Sequence, residues 1–115
     1  MRYKLYLDDL RNLPDLHPDW RLARNYHDAV WYVKNYGLPY HISFDHDLGI
    51  SHLVKCFGAL KEFTGLDFAK WFCGHVMDLG ITDLDGFTYN VHSANPVGAE
   101  NIRLYMENFL KDGMI

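Results

Sequence analysis

Short runs in which apolar and polar residues alternate recur along the chain and predict four β-strands. In the first run Tyr3, Leu5 and Leu7 point to one face, with polar or amphipathic residues between them. This period of two is typical of a strand that is buried on one side. The predicted strands cover residues 3–7, 20–24, 41–44 and 87–91.

Between these strands apolar residues recur at helical spacing, and residues that favour helix caps precede them. Asn25 and Thr64 are each followed three positions later by an acidic residue, a variant of the capping box. Asn95 followed by Pro96 is a third helix start. The predicted helices end near Tyr36, Gly80 and Gly113. Residues 50–63 fit neither pattern, and we read them as a long loop with a helical turn.

Strands that alternate with helices predict right-handed βαβ units and a mainly parallel sheet. A chain of 115 residues has room for one hydrophobic core. We therefore expect residues 1–115 to form a single α/β domain. It should be a small three-layer, flavodoxin-like domain of about four strands, with the first strand central and three helices distributed over both faces.

Composition narrows the function classes. Hydrophobic residues make up 49% and aromatic residues 16% of the chain, which excludes an intrinsically disordered protein. The net charge of -4 disfavours a non-specific binder of duplex nucleic acid. Two cysteines make no disulfide framework, and no apolar run has the length needed to span a bilayer. We expect a cytoplasmic protein with no membrane partner, and the sequence leaves its oligomeric state open.

Polar residues collect where three of the predicted strands end. Parallel strands bring their carboxyl ends to one edge of the sheet, which is where open α/β sheets bind ligands. We therefore expect these side chains to meet at one site. They are Asp8 and Asp9 after the first strand, Asp45, His46 and Asp47 after the third, and His92 and Ser93 after the last.

The four aspartates are candidates for binding a divalent cation. Mg²⁺ prefers oxygen ligands and keeps several waters, so two or three carboxylates suffice. Without a cation, clustered carboxylates repel one another. An Asp pair after a strand also commonly caps a loop, and that alternative explains Asp8 and Asp9 alone. Acidic residues at two strand ends favour the cation.

His46 and His92 are candidates for proton transfer, because histidine titrates near neutral pH. The alternative is that each simply forms a hydrogen bond with the backbone at a strand end. A zinc site made of these histidines and a carboxylate is a further option, although no HExxH-type spacing supports it.

The segment from Ser93 to Gly98 joins a strand end to a helix start and predicts an anion site. Free N–H groups and the helix dipole favour phosphate there. Asn95 by itself is also explained as a plain helix cap. Arg11 follows the first acidic pair and is a candidate phosphate clamp, or else a solvated loop residue. Neither a G-x-S-x-G elbow nor a GxxxxGK[ST] loop is present.

The combined pattern resembles the cyclic-phosphate-processing receiver-like family over nearly the whole chain. The resemblance rests on LDDLR at 7–11, SFDHDLG at 43–49, Thr64 with Gly65, and HSANPVG at 92–98 with Asn101. It implies a receiver-derived fold, whose relatives among response regulators bind Mg²⁺ through an acidic pair and a phospho-accepting Asp. A signalling receiver ends its last strand in a Lys, where this chain has His92 and Ser93. A phosphorylation switch is therefore not expected.

We expect a metal-assisted phosphoesterase, and the family resemblance implies that it processes a cyclic phosphate on a nucleotide or ADP-ribose derivative, in RNA repair or nucleotide-signal turnover. The alternative is a non-enzymatic degenerate receiver that binds a small phosphorylated nucleotide-type ligand or a protein partner. The expected metal is Mg²⁺ or Mn²⁺. The predicted metal ligands are Asp8, Asp9, Asp45 and Asp47; the catalytic residues are His46, His92 and Asp45; the substrate-binding residues are Arg11, Thr64, Ser93, Asn95 and Gly98.

Overall fold

The structure is a computed structural model and describes residues 2–9, 18–48 and 63–113. The predictions for Arg11 and for most of residues 50–63 lie outside these ranges.

Within the described residues, four short strands form one parallel sheet. Its order is β2-β1-β3-β4, and every neighbouring pair is parallel. The first strand thus lies between the second and the third, which confirms the flavodoxin-like order expected from the sequence. The last strand begins one residue later than predicted, because the Phe87 N–H donates to the Leu84 carbonyl in a turn. The strands are β1 Lys4–Leu7, β2 Trp20–Ala23, β3 His41–Phe44 and β4 Thr88–Val91.

In the described ranges, three α-helices follow β2, β3 and β4, and each begins at the predicted cap. The side chain of Asn25 accepts a hydrogen bond from the Asp28 N–H. Thr64 forms a full capping box with Asp67. The helices are α1 Tyr26–Tyr36, α2 Gly65–Asp78 and α3 Pro96–Asn108, and a π-helical turn, Phe109–Gly113, continues α3. In the part of the chain that the structure describes, no helix is long and apolar enough to cross a membrane.

The hydrophobic core lies between the helices and one face of the sheet. Leu5, Leu7, Ile42 and Phe44 are fully buried there, and all three helices contribute to the same cluster. Among the described residues the helices therefore cover one face, so two of the three expected layers are seen. The connections β2–α1–β3 and β3–α2–β4 run in the same direction across the sheet. Right-handed crossovers then place both helices on the same side.

The other face of the sheet is polar and aromatic. Alternate side chains of a strand point to opposite faces, so Tyr6, His41, Ser43 and Asn90 share the face away from the helical layer. Tyr6 and Ser43 are nevertheless buried. This face leads directly to the ends of β1, β3 and β4.

Candidate functional site

The ends of β1, β3 and β4 present one side chain each to a common point. Asp8 follows β1, Asp45 follows β3 and His92 follows β4. Backbone hydrogen bonds extend the ladder one residue past each strand, from Asp45 N to Leu7 O at 3.0 Å and from His92 N to Phe44 O at 2.9 Å. The three side chains are thus carried by the rigid sheet rather than by free loops.

Asp8, Asp45 and His92 form a compact cluster, which we call the strand-end triad. Each offers one ligand atom, and the three atoms lie within 4.8 Å of one another. His92 Nε2 is 3.0 Å from Asp8 Oδ2, and Asp8 is only 1% exposed. Metal–oxygen distances of about 2.1 Å place opposite ligands about 4.2 Å apart. The spacing of the three ligand atoms is thus compatible with a divalent cation.

Asp9 lies beside the triad without belonging to it. Partial burial raises its pKa, and the negative charges of Asp45, Asp8 and Asp47 raise it further. This electrostatic coupling places Asp9 in the acidic cluster that the sequence predicted. A cation at the triad would relieve the repulsion.

Asp47 bonds to His46 rather than to the triad. Its Oδ1 atom lies 2.9 Å from His46 Nδ1 and accepts a 3.3 Å hydrogen bond from Asn95 Nδ2. These two hydrogen bonds, His46 first, lower the pKa of Asp47. An ionised Asp47 holds the proton of His46 on Nδ1, so Nε2 is the nitrogen that can accept a proton.

The His46 ring lies against the first turn of α3, directly over Gly98. A Cβ atom at Gly98 would be 2.7 Å from His46 Cδ2 and Nδ1, and closer still to Cγ. Real Cβ atoms essentially never approach so closely, so the ring and a side chain at position 98 exclude each other. The absence of a side chain at Gly98 is what lets the ring lie in this position.

The predicted substrate-binding residues act mainly as helix caps. Asn95 Oδ1 accepts from the Gly98 N–H at 3.0 Å, so this N–H already has a partner. Ser93 Oγ accepts from the Asn95 N–H, and the Thr64 hydroxyl is held by Asp67. At Gly98 the N–H is thus engaged by the cap and the Cα faces the His46 ring, and its contact with a phosphate stays a prediction. Contacts of Ser93, Asn95 and Thr64 with a substrate stay predictions.

The structure adds Ser43, which sequence analysis did not single out. Ser43 Oγ lies 2.7 Å from His92 Nδ1 and accepts a 2.9 Å hydrogen bond from Asn90 Nδ2. The Tyr6 ring stacks on the His92 ring, with centroids 4.5 Å apart and planes 4° from parallel. A polar residue between Ile42 and Phe44 on a buried strand was the available signal in the sequence.

The sequence profile of one family, described as the cyclic-phosphate processing receiver domain, matches residues 3–108. The chain belongs to this family. The match runs from the start of the sheet to the end of α3 and includes the whole strand-end triad. The family resemblance seen in the sequence is thereby confirmed, as is the receiver-like fold. Comparison with curated proteins and with solved structures finds no match.

Proposed function

We propose that this receiver domain is a metal-dependent phosphoesterase that opens a cyclic phosphate on a nucleotide or ADP-ribose derivative. The observation that carries the proposal is the strand-end triad at the sheet edge, where Asp8, Asp45 and His92 converge. The family description, cyclic-phosphate processing, supports the substrate class.

In this proposal the strand-end triad holds Mg²⁺ or Mn²⁺. A divalent cation bound there would neutralise phosphate charge and lower the pKa of a bound water. The ligands predicted for Mg²⁺ or Mn²⁺ were carboxylates, whereas the triad contains an imidazole, which the sequence offered only in the zinc alternative. Imidazole ligands suit transition ions, while Mg²⁺ takes oxygen ligands. We therefore favour Mn²⁺ over Mg²⁺.

The two histidines take different roles. We assign His92 to the metal, because it belongs to the strand-end triad and its Nδ1 atom is held by Ser43. His46 is oriented through Nδ1 by Asp47, which leaves Nε2 to take a proton from water or give one to the leaving oxygen. General acid–base catalysis of this kind is worth about 10²–10⁴-fold.

The direct test is turnover of 2′,3′-cyclic AMP and of ADP-ribose cyclic phosphate, followed by ³¹P NMR with Mn²⁺, Mg²⁺ or EDTA. We expect metal-dependent opening of at least one substrate, and a loss of about 10²–10⁴-fold in His46→Gln. His75→Gln is the matched control, because His75 stacks on Trp71 in α2.

No turnover of either substrate with any of the metals would contradict the proposal. Binding of a cyclic nucleotide without turnover would instead support the non-enzymatic phosphate-binding module, which is the alternative drawn from the sequence. Equal loss of activity in both histidine variants would remove His46 from its assigned role.

A further inference from the structure

A continuous chain of side-chain hydrogen bonds runs from the strand-end triad across the polar face of the sheet. His92 bonds to Asp8 through Nε2 and to Ser43 through Nδ1. Asn90 Nδ2 donates to Ser43 Oγ, and Asn90 Oδ1 lies 2.7 Å from His41 Nε2. Every member lies on, or directly after, one of three neighbouring strands.

The sheet register builds this chain. Ser43 in β3 pairs directly with Asn90 in β4 and with Tyr6 in β1. Residues that are register partners project to the same face at close range. Stacking on Tyr6 fixes the plane of the His92 ring. The hydrogen bond to Ser43 fixes the direction in which Nδ1 points within that plane. Ser43 itself is 3% exposed, so water does not replace its hydroxyl easily.

We propose that Ser43 is a positioning residue that keeps His92 competent to bind metal through Nε2. This inference rests on the proposed metal site. When the ring proton is on Nε2, facing Asp8, Nδ1 accepts a hydrogen bond from the Ser43 hydroxyl. Metal binding through Nε2 requires the proton on Nδ1, which then donates to Ser43 Oγ.

A hydroxyl serves both arrangements, because it is a donor and an acceptor and rotates freely. The Asn90 amide donates to Ser43 Oγ in both and holds the serine in place. A group that hydrogen-bonds to the second ring nitrogen of a metal-bound histidine fixes the tautomer and the orientation of the ring. Losing such a group costs about 10–100-fold in metal affinity.

The first test is Mn²⁺ binding by titration calorimetry. Ser43→Ala should bind about 10–100-fold more weakly than the wild type, and Ser43→Thr, which retains the hydroxyl, should recover most of the loss. Thr88→Ala is the matched control. It removes a β4 hydroxyl that bonds to a histidine, His41, but removes neither partner of the Asn90–Ser43 and Ser43–His92 hydrogen bonds. Its Mn²⁺ affinity should stay at the wild-type value.

The second test reads the tautomer itself. In protein labelled with ¹⁵N-histidine, the metal-free wild type should carry the His92 proton on Nε2, and saturating Zn²⁺ should move it to Nδ1. If Zn²⁺ binds while Nε2 stays protonated, His92 is not a ligand and the inference fails. If Ser43→Ala binds Mn²⁺ as the wild type does, Ser43 has no positioning role.

These outcomes are separable from failure of the proposed function. If the wild type binds no divalent cation, the proposed metal site is wrong. If the wild type binds Mn²⁺ and turns over the cyclic phosphate, and Ser43→Ala binds Mn²⁺ equally well, only this inference is wrong. If Ser43→Ala does not fold, Asn90→Ala replaces it as the test. Asn90 is exposed, and this variant removes the amide that donates a hydrogen bond to Ser43 Oγ. It should weaken Mn²⁺ binding relative to Thr88→Ala, and equal affinities would overturn the proposal.

Discussion

Replacing Gly98 by Ala tests whether the position of His46 matters to the chemistry. The new methyl group would lie 2.7 Å from two atoms of the His46 ring and closer to a third. Ordinary van der Waals contact begins near 3.4 Å. The ring must therefore retreat by at least 0.7 Å, and by on the order of 1 Å once its nearest atom is counted. A misplacement of about 1 Å can cost about 10²-fold in rate.

The backbone gives no reason for the variant to unfold. Gly98 lies in the first turn of α3 without a positive φ angle, and alanine favours a helix over glycine by up to about 1 kcal/mol. The His46 side chain is 17% exposed, so it can move outward instead of forcing the helix away. We expect turnover of the cyclic phosphate to fall about 10²-fold while the melting temperature stays within a few degrees.

Gly74→Ala is the control, because a Cβ at this helical glycine meets nothing within 4 Å. It should gain the same helix preference and keep full activity. The comparison needs initial rates, melting curves and the His46 ring resonances of both variants. A Gly98→Ala protein with a displaced His46 ring and normal turnover would refute the argument that His46 acts from its observed position.

Three further predictions concern stability. In EDTA at pH 7, Asp9→Asn should melt at a higher temperature than the wild type. Burial and neighbouring carboxylates raise the pKa of Asp9, so its ionisation costs stability as the pH rises above about 4. The gain in melting temperature should vanish near pH 3, and no gain at pH 7 would contradict the carboxylate cluster. Gly65→Ala should lose at least about 1–3 kcal/mol in denaturant unfolding, because its Cβ would overlap the Asp45 backbone carbonyl; unchanged unfolding would contradict this packing. Asp47 has a lowered pKa, so its ionised form stabilises the fold above about pH 4, and this stabilisation is lost as the pH falls further. The melting temperatures of Asp47→Asn and the wild type should therefore converge in acid. A difference that stays constant with pH would contradict this role of Asp47.

The secondary structure was predictable because its boundaries are set locally. Asn25, Thr64 and Asn95 cap their helices through bonds to residues three positions away, which the sequence displays directly. The distribution of the helices over the two faces of the sheet is not set locally. It depends on the direction in which each connection crosses the sheet, and spacing along the chain does not encode that direction.

The gathering of Asp8, Asp45 and His92 follows from a rule about parallel strands, so the sequence could predict it. The hydrogen-bond partners of the side chains around this cluster could not be predicted. Asp47 pairs with His46 because of the path the chain takes after β3. Ser43 reaches His92 because of the β3–β4 register. Both contacts depend on geometry that alternation of apolar and polar residues leaves open.

The central claim, that metal at the strand-end triad drives opening of a cyclic phosphate, is tested most directly by one titration. The initial rate of opening of the cyclic phosphate that the wild type turns over is measured against Mn²⁺ concentration for the wild type and for Asp45→Asn. We predict a rate that saturates at the calorimetric Mn²⁺ affinity in the wild type, with the curve of Asp45→Asn displaced to higher Mn²⁺. A rate in EDTA equal to that in saturating Mn²⁺, or superimposable curves for the two proteins, would contradict the claim.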